Sequence, residues 1–245
     1  MLKRIFDILA SSLGLLTTSP ILLIFMVLVW RQDGHSPFYV APRVGRGERL
    51  FPMIKLRSMI KNADKTGVDS TSASDGRITR IGHLIRKFKL DELTQLMNVL
   101  VGHMSLVGPR PNVFRETELY TVEEKQLLTI RPGITDFASI VFSDEADILT
   151  DKADPDLAYN QIIRPGKSRL GLFYVENRNF LMDLQLILLT ILTIVSRERA
   201  LRATSSLLKR SGADENLVKL ALRDGPLLPD APPGAKEIVQ NRMGV

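Results

Sequence analysis

From Ile8 to Trp30 the chain has no charged residue. As a helix this run reaches roughly 34 Å, enough to cross a hydrocarbon core of about 30 Å. It is longer than the apolar stretch of about 7 to 15 residues typical of a signal peptide, and no small-x-small cleavage site follows Trp30, so the segment is expected to be retained. Pro20 interrupts it. Proline removes a backbone donor and crowds the carbonyl one turn earlier, an unfavourable choice in a straight membrane helix. Lys3 and Arg4 precede the run and Arg31, Arg43, Arg46 and Arg49 follow it, so the preference of basic flanks for the cytoplasmic side pulls both ends to the same face. A break at Ser19-Pro20 leaves two arms of roughly 18 to 20 Å, each too short to span alone. The hydroxyls of Thr17, Thr18 and Ser19 are placed to bond the carbonyls that the break frees. A kinked transmembrane helix and a re-entrant hairpin both fit the run; the two-sided basic flanks favour the hairpin, over residues 1–34.

Past Trp30 the pattern becomes mixed. Pro37 to Val40 and FPMIKL read as strands around the turn VGRGERL, and Lys61 to Gly76 as a polar loop. Helical spacing returns with Ile78, Ile81, Leu84 and Ile85 and again with Leu90, Leu93, Leu96, Met97 and Leu100, predicting two helices that meet near Lys89. SLVGPRP reads as a turn, Thr121 to Leu128 as a short charged helix, and Asp144 to Asp156 as an acidic loop. Asn179 to Val195 is apolar but carries Asp183 and Gln185, which suits a helix on the membrane interface or in the core better than a span. Beyond Ala203 the pattern predicts one weak helix, Asp214 to Leu222, and then the linker-like GPLLPDAPPG. These segments define a mostly helical α/β cytoplasmic domain with an N-terminal re-entrant membrane hairpin and interfacial amphipathic helices. No internal repeat and no glycine-rich nucleotide fingerprint is evident.

Composition narrows the chemistry. With 44% hydrophobic and 24% charged residues the chain is foldable, and its 245 residues suit one main domain. The net charge of +6 favours an anionic partner, whether phosphate, nucleic acid or a membrane surface. The absence of cysteine excludes disulfides and thiolate metal sites.

Asp91-Glu92, at the predicted start of a helix and just after Arg86, Lys87 and Lys89, is the candidate reactive pair. Adjacent carboxylates can share Mg²⁺, which takes its remaining oxygens from phosphate and water, and one aspartate can attack phosphorus. A lone Asp-Glu pair is more often a charged helix start. Its context alters that balance: Arg43, Lys55, Arg57, Arg80, Arg86, Arg110 and Arg131 each adjoin a glycine, a proline or an apolar residue. Arginine's planar fork suits phosphate. Pro109 and Pro111 hold Arg110 in a rigid frame that leaves little entropy to lose on binding.

With these residues in view, the chain resembles the monotopic phosphoglycosyl transferases, the bacterial sugar transferase family. The resemblance rests on KRIFDILAS with the SP pair, RVGRGERLFPMIKLRSM, DGRITRIGHLIRKFKLDELTQLMNVLVGHMSLVGPRP, RPGIT and YVENRNFLMDLQLILLT, in family order from Lys3 to about Thr193. It implies transfer of a sugar 1-phosphate from a nucleoside diphosphate sugar, usually a UDP-sugar, to polyprenyl (undecaprenyl) phosphate with Mg²⁺. It places the enzyme on the cytoplasmic face of the bacterial inner membrane, at the start of exopolysaccharide, capsule, O-antigen or glycoprotein glycan assembly. The family's catalytic pair falls on Asp91 and Glu92, its membrane break on Ser19-Pro20, its basic pair on Lys55 and Arg57, and its Pro-Arg-Pro motif on Pro109, Arg110 and Pro111. Two positions depart from the pattern: PGITDFASIVFSDEADIL replaces the usual PGITG and its aromatic continuation, and His103 stands where an acid is common, in a structural role. Residues 35–203 would form the catalytic domain and 204–245 an extension with no counterpart in the minimal core. The expected partners are the donor, the lipid acceptor and membrane lipid, without nucleic acid; self-association is left open. A Mg²⁺-dependent phosphohydrolase and a non-enzymatic membrane scaffold are the competing readings.

Overall fold

The computed structural model describes residues 1–63, 71–72 and 74–241. The expected loop at 61–76 therefore lies partly outside the described residues. A single long helix, α1 (Leu2–Asp33), opens the chain and ends on Gly34, whose left-handed backbone (φ 70°) returns its N–H to the Trp30 carbonyl. Helix α1 is long and apolar enough to cross a membrane by length and composition. Where two arms separated by a break were expected, one helix runs through Pro20. The hydroxyls explain how. Proline deprives the Leu16 carbonyl of its donor, and Ser19 Oγ supplies one at 2.8 Å, while Thr17 and Thr18 bond Leu13 and Gly14 at 2.9 and 2.7 Å.

Helix α1 buries only Asp7, Ser11, Leu22 and Val29, yet both its ends are fixed to the same body. At the N-terminus Lys3 reaches Asp183 (2.7 Å) and the Val107 carbonyl (3.1 Å), and Arg4 caps the carbonyls of Val99 and Leu100. At the C-terminus Asp33 accepts two hydrogen bonds from Arg57, at 2.5 and 2.7 Å.

Strands β1 (Phe38–Val44) and β2 (Leu50–Leu56) form an antiparallel hairpin with Phe38 opposite Leu56 and Val44 opposite Leu50. The first strand thus extends four residues past the predicted end. Helix α2 (Arg80–Lys87), capped by the Thr79 hydroxyl, precedes two short helices, α3 (Leu90–Leu93) and α4 (Leu96–Val101). Strand β3 (Ser105–Val107) leads to α5 (Phe114–Glu118) and a 3₁₀ turn at Glu124–Thr129, and it pairs in parallel with β4 (Gly133–Thr135). The acidic segment contains two single-turn helices, α7 (Glu145–Ile148) and α8 (Pro155–Ala158), after α6 (Phe137–Val141). Helices α9 (Arg164–Asn177), α10 (Phe180–Val195), α11 (Arg197–Arg210) and α12 (Glu215–Leu222) complete the body.

The largest core cluster joins Phe137, Ile140, Leu149, Ile163, Leu170, Tyr174 and Leu186 to Leu201, Leu208, Leu217 and Ala221. Residues beyond 204 are thus part of the main core, and α11 runs across that position. Helix α10 buries Met182, Asp183 and Leu186 and exposes Leu181, Leu188, Ile191, Ile194 and Val195, so its outer face, like that of α1, is apolar.

Candidate active site

Asp91 and Glu92 sit in the first turn of α3, where Lys89 takes a left-handed conformation (φ 55°) and turns the chain out of α2. Buried Leu90 anchors that turn among Val29, Leu56 and Ile85. The next residues tie it to β2: Thr94 Oγ1 donates to the Ile54 carbonyl (3.1 Å), and Asn98 accepts from the Ile54 N–H (2.9 Å) and donates to the Pro52 carbonyl (2.7 Å). Lys55, next along β2, therefore brings its Nζ to 3.8 Å from Asp91 Oδ2. From the other side Arg110 donates to Glu92 Oε1 at 2.8 Å. Its loop is set by a close approach of Gly108 and Gly133, where a Cβ on Gly133 would lie 2.1 Å from the Gly108 nitrogen. No larger residue fits there.

The four charges are unequal. Burial pushes the Asp91 carboxyl above its ordinary range, and the neighbouring Glu92 adds to this against the pull of Lys55, Arg86 and Arg110. Burial acts upward on Glu92 too, but Arg110, Lys89 and Lys55 outweigh it and hold that carboxyl at about 2. Burial, then Arg110, lowers Lys55 to about 8. The pair is thus split, with Glu92 a fixed anion locked to Arg110 and Asp91 a carboxylate of raised basicity facing a lysine.

Behind Arg110 lies a second polar layer. Glu145 pairs with Lys167 and is kept ionised against burial by Lys167 and Arg110. Asp136, buried at the cap of α6, accepts from Ser139 N and Oγ, both at 2.7 Å, and burial raises its carboxyl. Arg110, Asp136, Ser139, Tyr159 and Lys167 are among the residues that line a cavity of about 40 Å³. It is large enough to admit water.

The other expected phosphate ligands divide. Arg86 acts on Asp91 and Arg43 on Lys55, so both lie near the pair. Arg57 is engaged with Asp33 and the Ser36 carbonyl, and Arg131 donates to the Gly102 carbonyl at 2.9 Å. Arg80 is exposed on the first turn of α2. Pro109 and Pro111 flank Arg110, and Pro109 also lines the cavity. Ser19 and Pro20 lie within α1, away from the reactive pair in the chain and spaced from it by the second half of the helix. Glu145, Lys167 and Asp136 are not recognisable from sequence pattern as neighbours of Arg110; a charge within apolar surroundings at Asp136 is the one signal available.

Among the described residues no group of three or more His, Asp or Glu side chains is placed to hold a metal. Two adjacent carboxylates nevertheless fit Mg²⁺, which commonly takes one or two from the protein and the rest of its oxygens from phosphate and water.

The model of the family described as bacterial sugar transferase matches residues 1–197. The chain belongs to that family. It is 34% identical over 198 residues to an uncharacterized sugar transferase of Bacillus subtilis, covering 81% of this chain and 89% of the relative. It is 32% identical over 204 residues to the UDP-N-acetylgalactosamine-undecaprenyl-phosphate N-acetylgalactosaminephosphotransferase of Aeromonas hydrophila (80% of this chain, 44% of the relative). It is 42% identical over 149 residues to the undecaprenyl-phosphate galactose phosphotransferase of Salmonella typhimurium (55% and 31%). The residues matched by the family model include α1, the reactive pair and the Arg110 loop.

Proposed function

We propose that this sugar transferase moves a sugar 1-phosphate from a UDP-sugar to polyprenyl phosphate in two displacements through a phosphosugar on Asp91. The observation that carries this reading is the split pair: a carboxylate of raised basicity beside Lys55, next to a second carboxylate fixed by Arg110 at 2.8 Å. An Asp91 oxygen attacks the sugar-bearing phosphorus of the donor, and the bond to the bridging oxygen breaks, leaving UMP with the electron pair. A phosphate oxygen of the acceptor then attacks the same phosphorus, the bond to Asp91 breaks, the carboxylate is restored, and a polyprenyl diphosphate sugar departs.

Lys55, Arg110 and the nearby Arg86 neutralise the donor's diphosphate, which otherwise repels an anionic nucleophile. Asp91 and Glu92 would hold Mg²⁺, which polarises phosphoryl oxygens when bound. Helix α1 lies in the cytoplasmic leaflet of the inner membrane with both ends on the cytoplasmic side. This is supported by the attachment of Lys3 and Asp33 to one body and by the exposed apolar side of the helix. The outer face of α10 lies on the same membrane surface.

The test is incubation with UDP-sugar and Mg²⁺ without acceptor. A sugar-phosphate mass should appear on the intact protein and map to the peptide containing KLDELTQL, and Asp91→Asn should lose both adduct and turnover while keeping its fold. Substantial turnover by Asp91→Asn would show that the lipid phosphate attacks the donor directly. Release of free sugar phosphate without an adduct would identify a hydrolase.

A further inference from the structure

Between α2 and the reactive pair the surface changes character within a few residues. On α2, Ile81 and Ile85 face inward against Phe25, Met26 and Val29 of α1, so Leu84 and Phe88, also one turn apart, face outward. They are 48% and 54% exposed. Phe88 closes the helix, with the Lys87 Nζ 5.7 Å from its ring centre. Lys89 follows in a left-handed conformation that side chains rarely adopt. It is exposed, pairs with no carboxylate among the described residues, and stands two residues before Asp91. Its charge also acts on Glu92 and Glu145, which places it at the rim of the site. An apolar ledge, an unpaired cation and the nucleophile thus succeed one another along the chain. The helix that carries the ledge packs its other face on α1.

We infer that Leu84, Phe88 and Lys89 form the entry port for the lipid acceptor: the polyprenyl chain lies against Leu84 and Phe88, and Lys89 draws its phosphate toward Asp91. The inference rests on the transferase reading above. An acceptor that joins a hydrocarbon chain to a single phosphate needs apolar contact and a cation in that order from the membrane to the reacting phosphorus. A left-handed lysine next to the reactive pair is a backbone strain of the kind held at functional sites.

The test uses the full chain in nanodiscs with undecaprenyl phosphate as acceptor. Phe88→Ser removes the ledge, Phe88→Leu keeps it apolar, and Lys89→Asn removes the charge with a residue that tolerates the left-handed backbone. Phe88→Ser and Lys89→Asn should each raise the acceptor KM about tenfold or more, the loss expected for a charge-assisted or fully desolvated contact. UMP release from donor alone should stay within about twofold of the parent in Phe88→Ser; in Lys89→Asn, whose charge also acts on Glu92, the acceptor KM should rise by a clearly larger factor than donor-only release falls, and Phe88→Leu should restore most of the acceptor affinity. An unchanged acceptor KM overturns the assignment, as does a parallel loss of donor-only UMP release, which would mean that the residues support the reactive pair itself. Weaker flotation of the variants with phosphatidylglycerol vesicles, in proportion to the KM change, would assign the ledge to bulk lipid and also overturn it. The acceptor KM is read in the complete reaction, so failure to trap an adduct would count against the covalent reading and leave the port to be judged on that KM.

Discussion

Replacing Arg110 by alanine removes the 2.8 Å hydrogen bond to Glu92 and the strongest of the cations that keep that carboxylate ionised. Glu92 is held at about 2 against an ordinary value of 4.5, and its side chain is 18% exposed. At about 1.4 kcal/mol per pH unit, that displacement corresponds to roughly 3.5 kcal/mol net of the opposing burial, so the cations together contribute more than this, Arg110 the most. The loss for this one arginine should therefore lie near the range for a charge-assisted hydrogen bond, about 1.5 to 3 kcal/mol, or roughly a 10- to 150-fold fall in donor kcat/KM. The sign of the pH effect follows. A depressed carboxyl contributes above its unfolded or unpaired value and loses that contribution as pH falls through the folded one; without Arg110, burial pushes Glu92 upward, so the acid limb of the donor rate should move to higher pH. Arg110→Lys keeps the charge but not the planar fork and should fall between the parent and Arg110→Ala. The assay is UMP release from donor alone, in a single turnover, across pH 4 to 8. An Arg110→Ala rate within about twofold of the parent, with an unmoved acid limb, would refute the electrostatic account of the pair.

Three further outcomes are expected. Because burial and Arg110 lower Lys55 to about 8, its charge is present below that pH and lost above it, so donor kcat/KM should decline above about pH 8 and the decline should vanish in Lys55→Arg. Glu124, fully buried, accepts from Arg164 (3.0 and 2.5 Å), Ser168 Oγ (2.6 Å) and the Thr121 N–H (3.0 Å); Glu124→Ala should destabilise by about 3 to 5 kcal/mol in a denaturant titration by stranding Arg164, and Glu124→Leu with Arg164→Met should recover much of it. With no native cysteine, Leu2→Cys and Ser72→Cys can be labelled from either side of the membrane: both should react only from the cytoplasm, and periplasmic labelling at position 2 would show a spanning helix.

The parts of the fold that the sequence revealed are those set by local pattern. The uncharged run to Trp30, the VGRGERL turn and the helices either side of Lys89 can be read from periodicity and turn chemistry. The continuity of α1 through Pro20 was not readable from the proline itself, because it depends on Ser19 Oγ meeting the Leu16 carbonyl. Helix α9 was missed because RPGKSRLGL contains a proline and two glycines. The proline follows directly on a π-helical turn, Tyr159–Ile163, whose wider register precedes it in one helical run from Pro155, and the glycines sit where neighbours pack: a Cβ would lie 2.7 Å from Phe142 at Gly166 and 2.8 Å from Leu127 at Gly171. In the site, Asp91 and Glu92 stood out through their basic context, but which cations converge on them is a long-range question. Arg57 goes to Asp33 and Arg131 to Gly102, whereas Glu145 and Lys167, unremarked in an acidic stretch and a helix start, come to lie behind Arg110.

The attachments of α1 explain why a membrane segment and a reactive site belong to one structural unit. Its first turns hold the Arg110 side: Lys3 bonds the Val107 carbonyl three residues before Arg110, and Asp7 accepts from Ser105 Oγ (2.9 Å) and the Leu106 N–H (3.1 Å) on the same strand. Its last turns hold the Lys55 side, through Val29 against Leu56 and through Asp33 with Arg57, two residues beyond Lys55. Between them, the cluster that includes Val29 also contains Leu90, the residue before Asp91. All three walls of the site are therefore tied to one helix. In water the outer side of this helix would leave Leu9, Leu13, Leu16, Leu23 and Ile24 unburied, so the membrane placement proposed above would cover them while the opposite side keeps its attachments to the site. In the membrane placement proposed above, the helix that enters the lipid and the helix that holds the walls of the site are one element.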